Sequence, residues 1–193
     1  MILSVSPLRT RLARFALLLA LAVIGLGADI GAQRPASEYA VKASFIFNVA
    51  NFVEWPASAF ASSTAPLKIA VVAAHPIPDF AAALQGKAIR GHAVVVEQYA
   101  TAERIEGSHV IFVTSDAVSQ VRAMLKSADG HPVLTMVEED AEAPGAAVVS
   151  LGIVQARLAF SVNLDAADSA GLQMNPNLLK LAKAVQSGRA RTK

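Results

Sequence analysis

The chain of 193 residues contains no cysteine. That absence excludes a thiol nucleophile, a cysteine metal site and any switch worked by a disulfide. It does not argue against export, because an oxidising compartment permits disulfides without demanding them. Histidine is scarce too: His75, His92, His109 and His131 are all there is, none at ligand spacing with another, and no His-Glu-x-x-His occurs. Satisfied structural histidines are one reading, with His109 at the head of an apolar run. A metal site assembled across strands is the other. There is no Gly-x-Ser-x-Gly elbow and no Gly-x-Gly-x-x-Gly loop. Gly86-Lys87 lacks the upstream glycine of a phosphate loop, and Ala88 stands where Ser or Thr is required. The acidic stretch Glu138, Glu139, Asp140 and Glu142 lacks the order of a calcium loop and reads as solvated. A receiver domain would end its first strand in acidic residues, where this chain has Ala73-Ala74-His75-Pro76. No catalytic residue, cofactor or metal ligand is therefore expected.

What is present begins with a leader. Arg9, Arg11 and Arg14 precede an apolar run from Phe15 to Gly27, and small residues follow at Gly27, Ala28 and Ala32. This is the order of a secretory signal peptide over 1–32, cut after Gly27, Ala28 or Ala32. The run is short of the ~20 apolar residues of a spanning helix, although an uncleaved anchor is the competing reading. Removing the leader takes away three of 17 basic residues and one of 15 acidic ones, so the remainder is formally neutral. Five of its basic residues (Lys180, Lys183, Arg189, Arg191, Lys193) crowd the end, and no basic patch with interleaved aromatics points to nucleic acid. Residues 33–187 are long enough for one domain with a real core, and 188–193 read as a basic disordered tail.

The richest segment is 37–56. The spacing predicts a helix from about Ser37 to Glu54, closed by Trp55-Pro56. Tyr39, Val41, Phe45, Ile46, Val49, Ala50, Phe52 and Val53 fill an arc wider than an ordinary surface helix shows, which implies contacts on two sides. Lys42 falls inside that arc. Its ammonium either snorkels to water or pairs with a carboxylate from elsewhere, since an unpaired buried charge is costly. Strands are expected at 67–74, 93–99, 109–114 and 132–137, with helices over 78–84 and from Asp116 through Val118, Val121 and Leu125. A hairpin of 147–151 and 157–163 turning at Gly152 follows. Asn175-Pro176 then opens a last helix carrying Leu178, Leu181, Ala182 and Val185 on one face. The fold class is α/β: a single domain with a mixed central sheet flanked by helices.

In series, these pieces resemble the YfiR family of periplasmic proteins. The resemblance rests on Val41-Lys-Ala-Ser-Phe-Ile-Phe-Asn-Val-Ala-Asn-Phe-Val-Glu-Trp-Pro56, on His109-Val-Ile-Phe-Val113, Val133-Leu-Thr135 and Leu158-Ala-Phe-Ser-Val-Asn163, and on the closing Gly171-Leu172 with Leu178-Leu-Lys-Leu-Ala182. It marks Val41, Lys42, Phe45, Phe52, Trp55, Pro56, Asn163, Leu178, Leu179, Leu181 and Ala182 as family-motif positions of mainly structural role. It implies a non-catalytic periplasmic regulator, often dimeric. Such a protein would bind and repress the sensor region of an inner-membrane diguanylate cyclase. An outer-membrane peptidoglycan-binding lipoprotein would relieve that repression. Two departures stand out: Pro144-Gly145-Ala146 replaces an expected glycine pair, and the cysteines of some members are missing. The alternatives are a small-molecule-binding module serving another membrane sensor, and a hydrolase built around His92 or His109.

Overall fold

The apolar runs become the strands of one large sheet. The structure is a computed structural model and describes residues 37–103, 105–139, 145–155 and 157–188. The leader, Arg104, the stretch 140–144, Ala156 and the tail beyond Gly188 lie outside the described residues. Among the described residues no helix is long and apolar enough to cross a membrane.

In chain order the elements are α1 (Glu38–Asn51), β1 (Val53–Glu54), β2 (Leu67–Val72), α2 (Pro78–Leu84), β3 (Ala88–Ile89), β4 (His92–Tyr99), β5 (Val110–Val113), α3 (Val121–Ala128), β6 (Leu134–Glu138), β7 (Val149–Val154), β8 (Arg157–Asn163), α4 (Leu164–Ser169), β9 (Gln173–Met174), α5 (Pro176–Leu179) and β10 (Ala184–Gln186). Eight strands form a mixed sheet in the order β10-β8-β7-β6-β5-β2-β4-β3, and β1 pairs with β9 in a separate ribbon. The block β4-β2-β5-β6-β7 is parallel throughout.

Alternation within the strands builds two cores. Ile69, Val71, Val110, Phe112, Leu134 and Met136 face one side, covered by Ala43, Ile46 and Val49 of α1 and Phe80 and Leu84 of α2. Ala70, Val72, Ile111, Val113 and Val137 face the other, covered by Met124 of α3 together with Ala102 and Ile105. Burial on both faces is why these strands read as continuous apolar runs.

Four expectations need correction. The first helix ends at Asn51, because Val53 and Glu54 pair with Met174 and Gln173, and Phe52 O accepts from Asn175 N–H at 2.9 Å. Tertiary pairing, with Val53 fully buried, takes residues that periodicity gave to the helix. The last helix is a single turn. Asn175 caps it through Asn177 N–H, and Pro176 opens it, but the chain then returns to the sheet and pairs β10 with β8. Leu181 is consequently 70 % exposed. The β7–β8 hairpin turns at Gln155, φ +51°, not at Gly152, which lies inside the ladder opposite Ala159; a two-residue loop needs a positive φ at its centre. Asp116 does not cap a helix: a 3-10 segment, Ser115–Gln120, precedes α3, and Val118 is exposed. Just past β10, Gly188 donates its N–H to Asp165 at 2.6 Å.

Candidate functional site

Strand order locates the first place to look. From β2 the chain moves outward to β4, then returns past β2 to β5, so the order reverses between β2 and β5. In open α/β sheets the crevice outside the carboxyl ends at such a reversal is where ligands bind. The residues leaving β2 and β5 there are Ala73-Ala74-His75 and Thr114-Ser115-Asp116. His75 Nδ1 lies 3.1 Å from Asp116 Oδ2. The single hydroxyl proton of Thr114 is shared between Asp116 and Val72 O. Chiefly through the Thr114 bond, the Asp116 carboxyl is held below the usual carboxylate range.

Lys42 reaches the same end of the sheet from α1. It is 2 % exposed, and its ammonium bonds both Glu38, one turn earlier, and Glu138 at the end of β6. The other Glu138 oxygen accepts from Ser115 N–H at 3.2 Å. Burial alone would push the Lys42 ammonium down, but its bonds to Glu138 and Glu38 outweigh burial and its pKa is raised. The Lys42 ammonium also stands 4.9 Å from the centre of the Tyr39 ring. Burial first, and then the negative charge of Asp116 and Glu138, push the Tyr39 hydroxyl up. Of the two readings of Lys42, the ion pair within the fold is the one seen. Glu138, and Glu139 with it, leave the solvated-loop reading; Asp140 and Glu142 lie outside the described residues.

This network ties α1, β5 and β6 together. Chemically, a lysine held as an ammonium between carboxylates is neither nucleophile nor general base, and an aspartate held ionised is no general acid.

A second brace stands beside it. Asn163 accepts from Ala166 N–H at 3.0 Å, capping α4, and donates to Gly145 O at 2.9 Å. Gly145 N–H donates to Ser150 Oγ, which in turn donates to Glu139 at 2.7 Å. A Cβ on Gly145 would run into the Glu139 carboxylate. The departure at 144–146 thus keeps the one glycine that this close approach needs. Asn163→Ala should cost about 2 kcal/mol, a lost cap plus an unmade bond to a carbonyl. Asn163→Ser, which keeps a capping oxygen but not the amide donor, should cost roughly half of that by thermal or urea unfolding.

At the opposite ends of the strands lie two cavities. One, about 810 Å³, opens between Ser58, Ser108, His109, Glu103, Lys126 and His131. The other, about 210 Å³, is lined by Trp55, Phe60, Leu67, Ile89, Arg90 and His92. The motif residues therefore do not converge on one site. Lys42 serves the carboxyl-end network, whereas Trp55 and Pro56 belong to the opposite end. Phe45 packs edge-on against Phe160, ring centres 5.3 Å apart. Leu178 is buried, Leu179 and Ala182 pack on the core from partly exposed positions, and Val41 and Phe52 are exposed by 46 % and 36 %. The opening and closing motifs do meet, through the β1–β9 ribbon.

Among known families, the model of the YfiR/HmsC-like family matches residues 39–183, which is nearly all of the described domain. The chain belongs to that family. The YfiR/HmsC-like family is one of periplasmic, non-catalytic regulators of diguanylate cyclase signalling. No protein of curated function matches the sequence. Among solved structures, the chain is similar to a conserved domain protein from Vibrio cholerae O1 biovar El Tor, at 15 % identity and a TM-score of 0.50. The likeness covers 78 % of this chain and 60 % of that one, and it shows the fold alone. Within this YfiR/HmsC-like domain, sequence reasoning singled out Lys42 but missed its partners Glu38 and Glu138. A signal was available: Glu138 is the first acid after the apolar run Pro132–Val137, where a strand carries it to the sheet's end.

Proposed function

We propose that this chain is an exported periplasmic regulator that binds the periplasmic sensor region of an inner-membrane diguanylate cyclase and represses it. The observation that carries the proposal is the family match across 39–183. The chemistry of the carboxyl-end network, which fixes charges rather than activating a group, is in keeping with a non-catalytic role. In this reading residues 1–32 are a cleaved leader, an outer-membrane peptidoglycan-binding lipoprotein relieves repression, and the repressor acts as a homodimer.

Deleting the gene should raise intracellular cyclic-di-GMP, and the exported protein should restore the parental level while a leaderless form does not. An unchanged level across several growth conditions would count against repression of a cyclase. The 810 Å³ cavity favours a second reading, a small-molecule-binding module serving another membrane sensor. Saturable stabilisation in a thermal screen of periplasmic metabolites would separate the two.

A further inference from the structure

Between the two cavities runs the segment 57–66, which contributes Ser58 and Ala59 to the wall of the larger and Ala57 and Phe60 to the smaller. It carries little weight of its own: residues 61 to 64 are exposed. What holds it is a stack of three rings. Phe60 lies between His92, ring centres 3.8 Å apart, and His109, 4.4 Å apart, all nearly parallel. The same two histidines hold the carbonyls on either side of the ring. His109 Nε2 bonds Ala59 O at 3.1 Å, and His92 Nδ1 bonds Ala65 O at 2.6 Å.

The two histidines differ in what a proton would do. A carbonyl only accepts, so His92 Nδ1 already carries its hydrogen. A second proton on Nε2 would strengthen the bond to Ala65. His109 is the reverse case. Its Nδ1 accepts from Lys68 N–H at 3.1 Å, so that nitrogen must be bare and Nε2 must carry the hydrogen that Ala59 receives. A proton on Nδ1 would set donor against donor at the first residues of β2. It would also place a cation in a site that is 7 % exposed, near Lys68 and, across Phe60, His92. The outlet for that cation is the larger cavity, whose walls carry the carboxylates of Glu103 and Glu106 as well as Lys126 and His131.

We propose that residues 57–66 form a strap, closed at neutral pH, which is released when His109 takes up a proton, joining the two cavities that it separates. Release would bare Trp55 and Phe60 to whatever the joined cleft admits. This inference does not rest on the repressor reading, and either can fail without the other.

The test is hydrogen exchange of the full chain, followed by mass spectrometry from about pH 7.5 to about pH 5 and corrected for intrinsic exchange. Amides of Ala59, Phe60, Ala65 and Lys68 are bonded within or beneath the strap and report on it directly. Release by one proton makes their exchange about tenfold faster per pH unit below the ordinary histidine range, while peptides from β5 and β6 stay protected. His109→Gln keeps an acceptor for Lys68 and a donor for Ala59 but cannot take the proton, so its strap exchange should be flat with pH. His92→Gln should keep the dependence. A flat profile in the natural sequence, equal pH dependence in His109→Gln, or a parallel rise in β5 peptides would each overturn the proposal. If His109→Gln does not fold, the natural sequence and His92→Gln still decide it.

Discussion

Lys42→Met is expected to destabilise the domain by about 3 kcal/mol, which for a chain of this size lowers the melting temperature by roughly 10 °C. Methionine fills much of the space of the lysine stem, so little packing is lost. The cost comes from what is left behind. Glu138 is only 13 % exposed and would lose its cationic partner. Breaking a buried pair from one side strands a desolvated charge, which is why its cost exceeds the net worth of the pair. Glu38 is 68 % exposed and can turn to water, so its own loss adds little. Adding Glu138→Leu to Lys42→Met should recover much of the stability, and the double-mutant cycle reads the coupling. Equal stability of the single variant and the natural sequence would remove the ion pair as a structural element. In cells, the single variant should also weaken regulation through reduced abundance, whereas the double variant should restore both together.

The arc on α1 shows how much of this was legible and where legibility stopped. Periodicity put Ile46, Val49 and Ala50 on the covered side of α1, and they are buried, but the arc it drew was too wide: Val41 and Phe52 are exposed by 46 % and 36 %. The need of Lys42 for a carboxylate followed from the cost of a buried charge. Which carboxylate did not follow, because Glu138 is 96 residues away and only the register of β6 in the sheet carries it there. The same limit governs the closing segment. The cap at Asn175-Pro176 is local chemistry and was readable. The single turn of α5 and the return of Ala184–Gln186 to the sheet depend on the free edge of β8, which no local pattern announces. Likewise the parallel strands were plain from their apolar runs, while the stack of His92, Phe60 and His109 joins residues from three separate segments, none of which looks unusual by itself.

Trp55 supplies the second large effect, and it separates packing from recognition. Trp55→Ala should cost about 3 kcal/mol, the lower end for removing a large aromatic, because the side chain is only partly buried although it packs on the core beside Phe60 and Leu67. Trp55→Phe should behave very differently. The indole Nε1–H is buried without a hydrogen-bond partner among the described residues, and a buried unmade donor is itself unfavourable. Phenylalanine removes that donor and keeps most of the apolar contact, so its stability should fall within about 1 kcal/mol of the natural sequence. Denaturant unfolding of both variants checks this ordering, and equal losses would show that the ring's full size, rather than its apolar bulk, sets the fit. Because Trp55 lines the smaller cavity, regulation measured beside stability adds a second answer. A Trp55→Phe protein that is stable and still regulates means that the tryptophan is there for packing. One that is stable but no longer regulates means that the unmade N–H finds its acceptor in a bound partner or ligand.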